Sequence, residues 1–543
     1  MDRKIEETGG PHGSGTIAER EISALAAAGE PAPGVTQAAA AGHPAGLLDR
    51  RYVTAAMMLV MVLASMEMTV TSTAMPTIIG ELHGLEHYAW VASIYLLACT
   101  VSMPLYGRLA DAVGRKKVVL TAIGLFCIAS VLAAASKTMG QLIVFRGLQG
   151  LGAGGIMPVV LTILGDIFTL EERATIQGFF SAVWGSASLA GPALGAFLVN
   201  TFGWRSIFFV NLPFGVIGMI VLAWKYHDKE KPHSVDLDLP GVALLAISCA
   251  ALLLLVSRLG PDGWDLPRGL GLTIIALGTA AWFVRVERLS ANPILPMSLV
   301  MHRAIGPSLV GSCLLGVGFL SLDTYVPLYV QGAKGGGATA AAGVVTPVML
   351  AWATSGIFAA PLVVRWGFRK TAMLGSILTI VSFTGLVACA MIDSPHWILT
   401  GVLLISGFGF GPASMAYLLA AQDAVEWKQR GIVTSSIQFF RTIGGAVGIG
   451  VLGMMFNILT QSQMRSLREA GVNPGALLDP HSRSLLAPDV LQSASSMFGH
   501  GLTWVFGGML LCAAGQALVT LVMPGHKAAR AITAAEVMEG MSG

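Results

Sequence analysis

"YGRLADAVGRKKVVL", Tyr106 to Leu120, is a charged turn set between two apolar runs, and a second version of it occurs as "AAPLVVRWGFRKTAML", Ala359 to Leu374. In the second version Gly367 takes the place of Gly114, and Arg369-Lys370 that of Lys116-Lys117. The position of Asp111 is occupied by Val364, so only the first version has a carboxylate beside its cations. The two halves of the chain thus share one design. Weak internal repeats of this kind mark secondary transporters, whose halves rock against each other around a site near the bilayer midplane.

The apolar runs on either side of these turns extend through most of the chain. A helix needs about 20 apolar residues to cross a bilayer. Such runs fall at approximately 53–79, 88–110, 117–135, 140–166, 174–200, 206–225, 241–259, 269–286, 304–331, 341–364, 371–391, 396–421, 431–459 and 501–523. Of the 543 residues 54% are hydrophobic and 12% charged, where a soluble protein has about 25% charged. The expected fold is all-α and integral to the membrane. It comprises an N-terminal six-helix bundle over 51–230, two linker transmembrane helices within 231–300, and a C-terminal six-helix bundle over 301–525. Residues 1–50, rich in Gly, Ala, Pro and Glu and lacking a signal-peptide core, read as a disordered cytoplasmic tail, and 526–543 as a second cytoplasmic tail.

Loop charge sets the orientation. With the N-terminus inside, "GRLADAVGRKK", "KYHDKEKP", "RWGFRK", "EWKQR" and "GHKAAR" share the cytoplasmic side, and the short opposite loops hold Lys137, Arg205, Arg258, Arg268 and Lys334. This is the positive-inside pattern, and the expected location is the cell inner membrane with both termini cytoplasmic. An outer loop is expected at 460–500, which would give a cell-envelope partner something to bind.

Other classes find little support. The net charge of +3 is spread along the chain, which argues against nucleic acid as a partner. The six cysteines lack the paired spacing of a disulfide framework or a zinc site, so no metal is expected. There is no His-Glu dipeptide for a metallohydrolase helix and no Gly-Lys for a phosphate-binding loop, so neither an enzyme nor an ATP-driven pump is indicated.

At "GRLADAVGRKK" the chain resembles the major facilitator superfamily, with Gly107, Asp111, Gly114 and Arg115 standing where that superfamily's loop between spans 2 and 3 has its Gly, Asp, Gly and Arg. "FRGLQGLGAG", Phe145 to Gly154, is similar to the fourth-span motif, with Arg146 as its buried cation. "GSASLAGPALG", Gly185 to Gly195, is similar to the fifth-span antiporter motif, with Gly191, Pro192 and Gly195 in place and Ala196 where the motif usually ends in Gly. "GWRSIFFVNLPFG" and "WKQRGIVTSSIQFFRTIGGAVG" resemble segments of the fourteen-span drug:proton antiporter branch, the EmrB/QacA-like group. "MEMTVTSTAMPTI" resembles that branch's first-span signature, with Glu67 where the family usually has Asp. The resemblance implies the major facilitator fold with fourteen spans and a proton-coupled exporter, with protons as the coupling ion and no other cofactor. Its cargo would be lipophilic, cationic drugs. The alternative cargo on the same fold is a lipid, siderophore or other envelope metabolite.

Four charges lie well inside spans: Glu67, Arg146, Asp323 and Arg441. Intramembrane ionisable residues are costly and face interiors or relays. A carboxylate in a water-accessible cavity lets proton and cationic substrate compete for one charge, which makes Glu67 and Asp323 the candidate coupling sites. The competing reading is a permanent ion pair with Arg146 or Arg441, and the pairing stays open at this level. Asp166 and Asp423, near span ends, read as interfacial. Tyr95, Trp184, Tyr325 and Gln438 are candidate lining of the substrate cavity, although most Trp and Tyr in membrane proteins serve as belt or packing residues. The expected partners are a small amphipathic molecule and membrane lipid, and the chain is read as a monomer.

Overall fold

The computed structural model describes residues 47–82, 88–228, 238–257, 266–290, 292–392, 394–469 and 487–525. The N-terminal half contains α1 (Leu47–Leu82), α2 (Tyr88–Val113), α3 (Arg115–Ala134), α4 (Met139–Ile167), α5 (Leu170–Phe202) and α6 (Ser206–Lys225, interrupted at Val210). Two helices follow, α7 (Leu239–Ser257) and α8 (Leu266–Leu289). The C-terminal half contains α9 (Ile305–Leu328), α10 (Ala338–Trp366), α11 (Phe368–Met391), α12 (His396–Asp423), α13 (Arg430–Glu469) and α14 (Pro488–Val522).

Each half repeats one packing plan. In the first, α1 packs on α5 and α6, α4 on α2 and α3, and α3 on α6; in the second, α9 packs on α13 and α14, α12 on α10 and α11, and α11 on α14. This is the repeat announced by the two charged turns, and it gives the two six-helix bundles of the major facilitator fold. The bundles meet where α5 lies along α10 and α2 along α13, while α7 and α8 pair with each other and α7 leans on α2 and α13.

Among the described residues thirteen helices are long and apolar enough to cross a membrane. The seventh of the fourteen expected spans, α7, has a shorter apolar stretch, Pro240–Leu255. The expected outer loop at 460–500 is also narrower than the sequence suggested. Helix α13 continues to Glu469 and α14 begins at Pro488. The tails at 1–46 and 526–543 lie outside the described residues.

Lipid offers little hydrophobic drive between helices, so close packing must come from small residues. Helix α4 shows how "GLQGLGAGG" serves this end. A Cβ on Gly150 or Gly154 would strike backbone atoms of α2 at Tyr95 and Cys99, and one on Gly152 would strike α3 at Phe126. The glycines therefore let α4 sit between α2 and α3, and most of its length is buried. The charged turn needs Gly114 for a different reason. Its φ of 104° is a left-handed conformation that side chains disfavour, and the Asp228 carboxylate occupies the space a Cβ would take. Asp228 there accepts a hydrogen bond from Lys116 N at 3.1 Å, in the first turn of α3.

Candidate functional site

The turn between α2 and α3 is the first of two buried charge clusters. Arg115 is fully buried and bonded on every side: to Asp111 at 2.8 Å, to Asp166 at 3.0 Å and to the carbonyl of Trp427 at 2.7 Å. Its guanidinium lies 3.6 Å from the centre of the Trp427 ring. Asp111 reaches across to the other bundle, where Oδ1 accepts from Gly431 N at 2.9 Å and Oδ2 from Ile432 N at 2.8 Å. These amides belong to the first turn of α13, whose N–H groups have no partner within the helix and whose end carries partial positive charge. Arg430 returns the connection, donating to the Gly165 carbonyl at 2.8 Å.

Gly107 makes this latch close, since a Cβ there would collide with Ser435 and the Gly431 carbonyl of α13. The latch thus joins the bundles at the end that carries Arg115 and Lys117. Asp166, read from sequence as interfacial, is instead buried and part of the latch. Sequence position alone could not reveal this, because it depends on which face of α4 meets the start of α3. Asp423 is exposed, as expected of an interfacial residue.

The second cluster answers why a carboxylate sits within α1. Glu67 is 2% exposed and accepts from donors on three helices. Arg146 of α4 pairs with Oε1, which Thr71 also reaches at 3.1 Å, and Asn211 of α6 donates to Oε2 at 2.6 Å. Arg146 also donates to Gln149 Oε1 at 2.6 Å, and Gln149 to Ser130 of α3 at 2.9 Å. The Tyr95 ring covers the guanidinium at 4.3 Å. Tyr95 is therefore committed to holding Arg146 and is not an open cavity wall. Asn211, Ser130 and Thr71 were not singled out from sequence, whereas Gln149 belongs to the fourth-span motif. A polar residue at the start of an apolar span, as Asn211 is in "FFVNLPFG", is the signal that could have found it.

The C-terminal bundle treats its charges differently. Among the described residues neither Asp323 nor Arg441 has an ion-pair or hydrogen-bonding partner, so the anticipated pairing of Arg441 with an acid does not occur. Packing explains the separation. Gly316 of α9 lies against the Arg441 backbone, and nine residues on Tyr325 reaches the Ile449 carbonyl, so α9 and α13 run parallel. Asp323, seven residues beyond Gly316, then stands roughly 10 Å further along the axis at 1.5 Å per residue.

Asp323 is exposed, on the arc of α9 between Phe319, whose ring meets Trp352 at 4.3 Å, and Gly316 beside α13. Tyr325, by contrast, is buried and donates to the Ile449 carbonyl, which makes it a packing residue. Gln438 is 2% exposed with Nε2 unpaired among the described residues, and Trp184 is half-buried.

The antiporter-like motif of α5 serves packing on two sides. A Cβ on Gly191 would strike Thr69, and one on Gly195 would strike Thr73, both of α1. On a neighbouring flank Gly185 meets Ala353 and Gly178 meets Gly356 and Ile357, all of α10. Pro192 lies within α5 and is exposed. At the end of the bundle remote from the latch, Glu81 accepts from Trp204 Nε1 at 2.6 Å and from Arg205. The Arg205 and Trp204 hydrogen bonds hold the Glu81 carboxyl below its ordinary value.

Comparison with known proteins agrees with this architecture. The sequence matches the Major Facilitator Superfamily over residues 57–449. It is 34% identical over 402 residues to the multidrug transporter protein MdtP of Bacillus subtilis (strain 168), covering 74% of each chain. It is 28% identical over 472 residues to multidrug resistance protein 3 of the same organism, covering 84% of this chain and 91% of that one. A bacterial homologue of the iron transporter ferroportin, solved in an outward-facing state, superimposes with a TM-score of 0.58 at 12% identity over 86% of this chain and 98% of that one. The human organic anion transporter MFSD10 superimposes with a TM-score of 0.56 at 15% identity over 84% and 99%. At such identities these two likenesses concern the fold alone. The chain belongs to the Major Facilitator Superfamily and is a multi-pass membrane transporter.

Proposed function

We propose that the chain is a proton-coupled exporter of lipophilic, cationic compounds, working by alternating access across the cell inner membrane. The observation that carries this reading is Glu67, a carboxylate sealed between α1, α4 and α6 whose partners are all hydrogen-bond donors. A proton on Glu67 would cancel its charge, weaken its hold on Arg146 and loosen α1 from α4. Protonation thereby becomes a packing event of the kind that biases a two-state bundle. Asp323, without a partner and exposed on the arc between Phe319 and α13, is the acid available to a cationic substrate. Relatives named as multidrug transporters support the cargo class.

The positive-inside pattern supports placing the latch end in the cytoplasm. In that orientation the Asp111–α13 contact closes the cytoplasmic side. Energy would come from the proton gradient, since a charge crossing 100 mV gains about 2.3 kcal/mol.

The test is proton movement in liposomes holding purified protein and a pH-sensitive dye, challenged with ethidium. The native chain should exchange protons for the cation. Glu67→Gln should abolish the coupled flux while still binding ethidium, and Asp323→Asn should weaken binding of the cation. Folded protein that moves no protons with any lipophilic cation would overturn the proposal and direct the same assay to lipids and envelope metabolites.

A further inference from the structure

The second copy of the charged turn differs from the first in a way that leaves it incomplete. In the first copy the acid beside the turn is spent on the latch, and a second acid, Asp228, lies against Gly114 and the Lys116 amide. In the second copy Gly367 adopts the same left-handed turn, with φ of 80° against 104° at Gly114. Val364 replaces the acid, and among the described residues Arg369 and Lys370 have no ion-pair or hydrogen-bonding partner. Both cations open onto a groove of about 460 Å³ between α11 and α14, with Trp366 at its head. The rest of its wall is apolar, formed by Met373, Leu374, Ile377 and Leu521.

We propose that this groove is a binding site for an anionic phospholipid. The headgroup phosphate would meet Arg369 and Lys370 beside Trp366, and one acyl chain would lie along Met373, Ile377 and Leu521. Three features favour this occupant. The pair of uncompensated cations complements a phosphodiester, which carries one negative charge. The groove lies where α10 ends and α11 begins, the depth at which amphipathic Trp and basic side chains mark the headgroup layer. The apolar wall continues from there along two membrane-spanning helices, which suits an acyl chain and serves no purpose for a soluble anion. Basic pockets between spanning helices are known to hold acidic headgroups in this way. The site does not depend on the proposed cargo, and it lies on the outer surface of one bundle, apart from the Glu67 cluster.

Native mass spectrometry of the full chain in detergent, with phosphatidylglycerol and phosphatidylcholine of identical acyl chains in competition, tests this directly. Two basic groups at a surface are together worth roughly 30-fold in affinity for an anionic headgroup, so the tightest-bound lipid should be phosphatidylglycerol by about that factor. Arg369→Ala with Lys370→Ala should erase the preference. Ile377→Trp, which fills the groove and leaves both cations, should reduce retention of both lipids. Lys117→Ala with Arg288→Ala, two exposed cations elsewhere, should leave the preference intact. Retention of the native preference in the first double variant would overturn the site. Binding untouched by Ile377→Trp, or displacement of the lipid by millimolar inorganic phosphate, would overturn the lipid as its occupant.

Discussion

Replacing Asp111 by Ala removes the two acceptors that hold the first turn of α13 to the opposite bundle. The effect should fall on the conformational equilibrium and much less on folding, because Arg115 keeps Asp166 at 3.0 Å and the Trp427 carbonyl at 2.7 Å. Hydrogen bonds to a charged group contribute about 1.5–3 kcal/mol each. Once the ends separate, water satisfies the freed amides, so the lower figure applies. Two bonds then give about 3 kcal/mol, a shift of roughly 150-fold between the closed and open arrangements of this end. A protein with about 1% of molecules open would become mostly open.

Spin labels at Lys117→Cys and Lys428→Cys, both exposed and on opposite bundles, would read the shift as a longer component in the distance distribution of a variant lacking the native cysteines. Asp111→Asn, which keeps one acceptor and loses the ion pair, should give an intermediate change. A distribution for Asp111→Ala that superimposes on the native one would refute the claim that this contact holds the end shut.

Three further outcomes are expected. Glu67→Gln leaves Arg146 buried without its carboxylate, which costs about 3–5 kcal/mol for a buried pair. Its melting temperature in detergent should fall, and Arg146→Met added to it should recover part of the loss. Gly195→Leu sets a branched side chain against Thr73 and should prevent α1 and α5 from closing, so the variant should fail to give a monodisperse peak by size exclusion while Gly271→Leu, at an open position, behaves as native. Glu81, held below its ordinary value of 4.5 by Arg205 and Trp204, contributes stability above that value and loses it as pH falls through the depressed one. A melting temperature followed from pH 6 downward should therefore drop more steeply in the native chain than in Glu81→Gln.

What the sequence made legible was whatever depends on local pattern. The repeat of the charged turn foretold the twin packing plan, because Gly114 and Gly367 each specify a turn by their own backbone. Glu67 and Arg146 were recognisable as buried charges because each interrupts an apolar run. Their partnership was not, since it depends on how α1 and α4 rotate against each other. Asp166 shows the same limit more sharply. Its neighbours "LGDIF" resemble any span end, and only the path of Arg115 past α4 draws it inside. Arg441 is a cation inside a span and invites pairing with an acid, but Asp323 on the neighbouring helix is exposed, and the register of Gly316 against Arg441 and of Tyr325 against Ile449 separates the two along the axis. Tyr95 and Tyr325 carry aromatic rings suited to a cavity, yet one covers a guanidinium and the other bonds a backbone carbonyl.

The close seam between α5 and α10 also has a mechanical meaning under the proposed rocking. Helix α5 touches α10 at Gly178 and Gly185, so a fulcrum lies near residue 182 of a helix that runs from Leu170 to Phe202. At 1.5 Å per residue the arm toward the latch is about 18 Å and the arm toward the far end about 30 Å. Each ångström of parting at the latch then becomes about 1.7 Å of closure at the opposite mouth. A small release at the latch is thereby geared up into a larger movement at the opposite mouth.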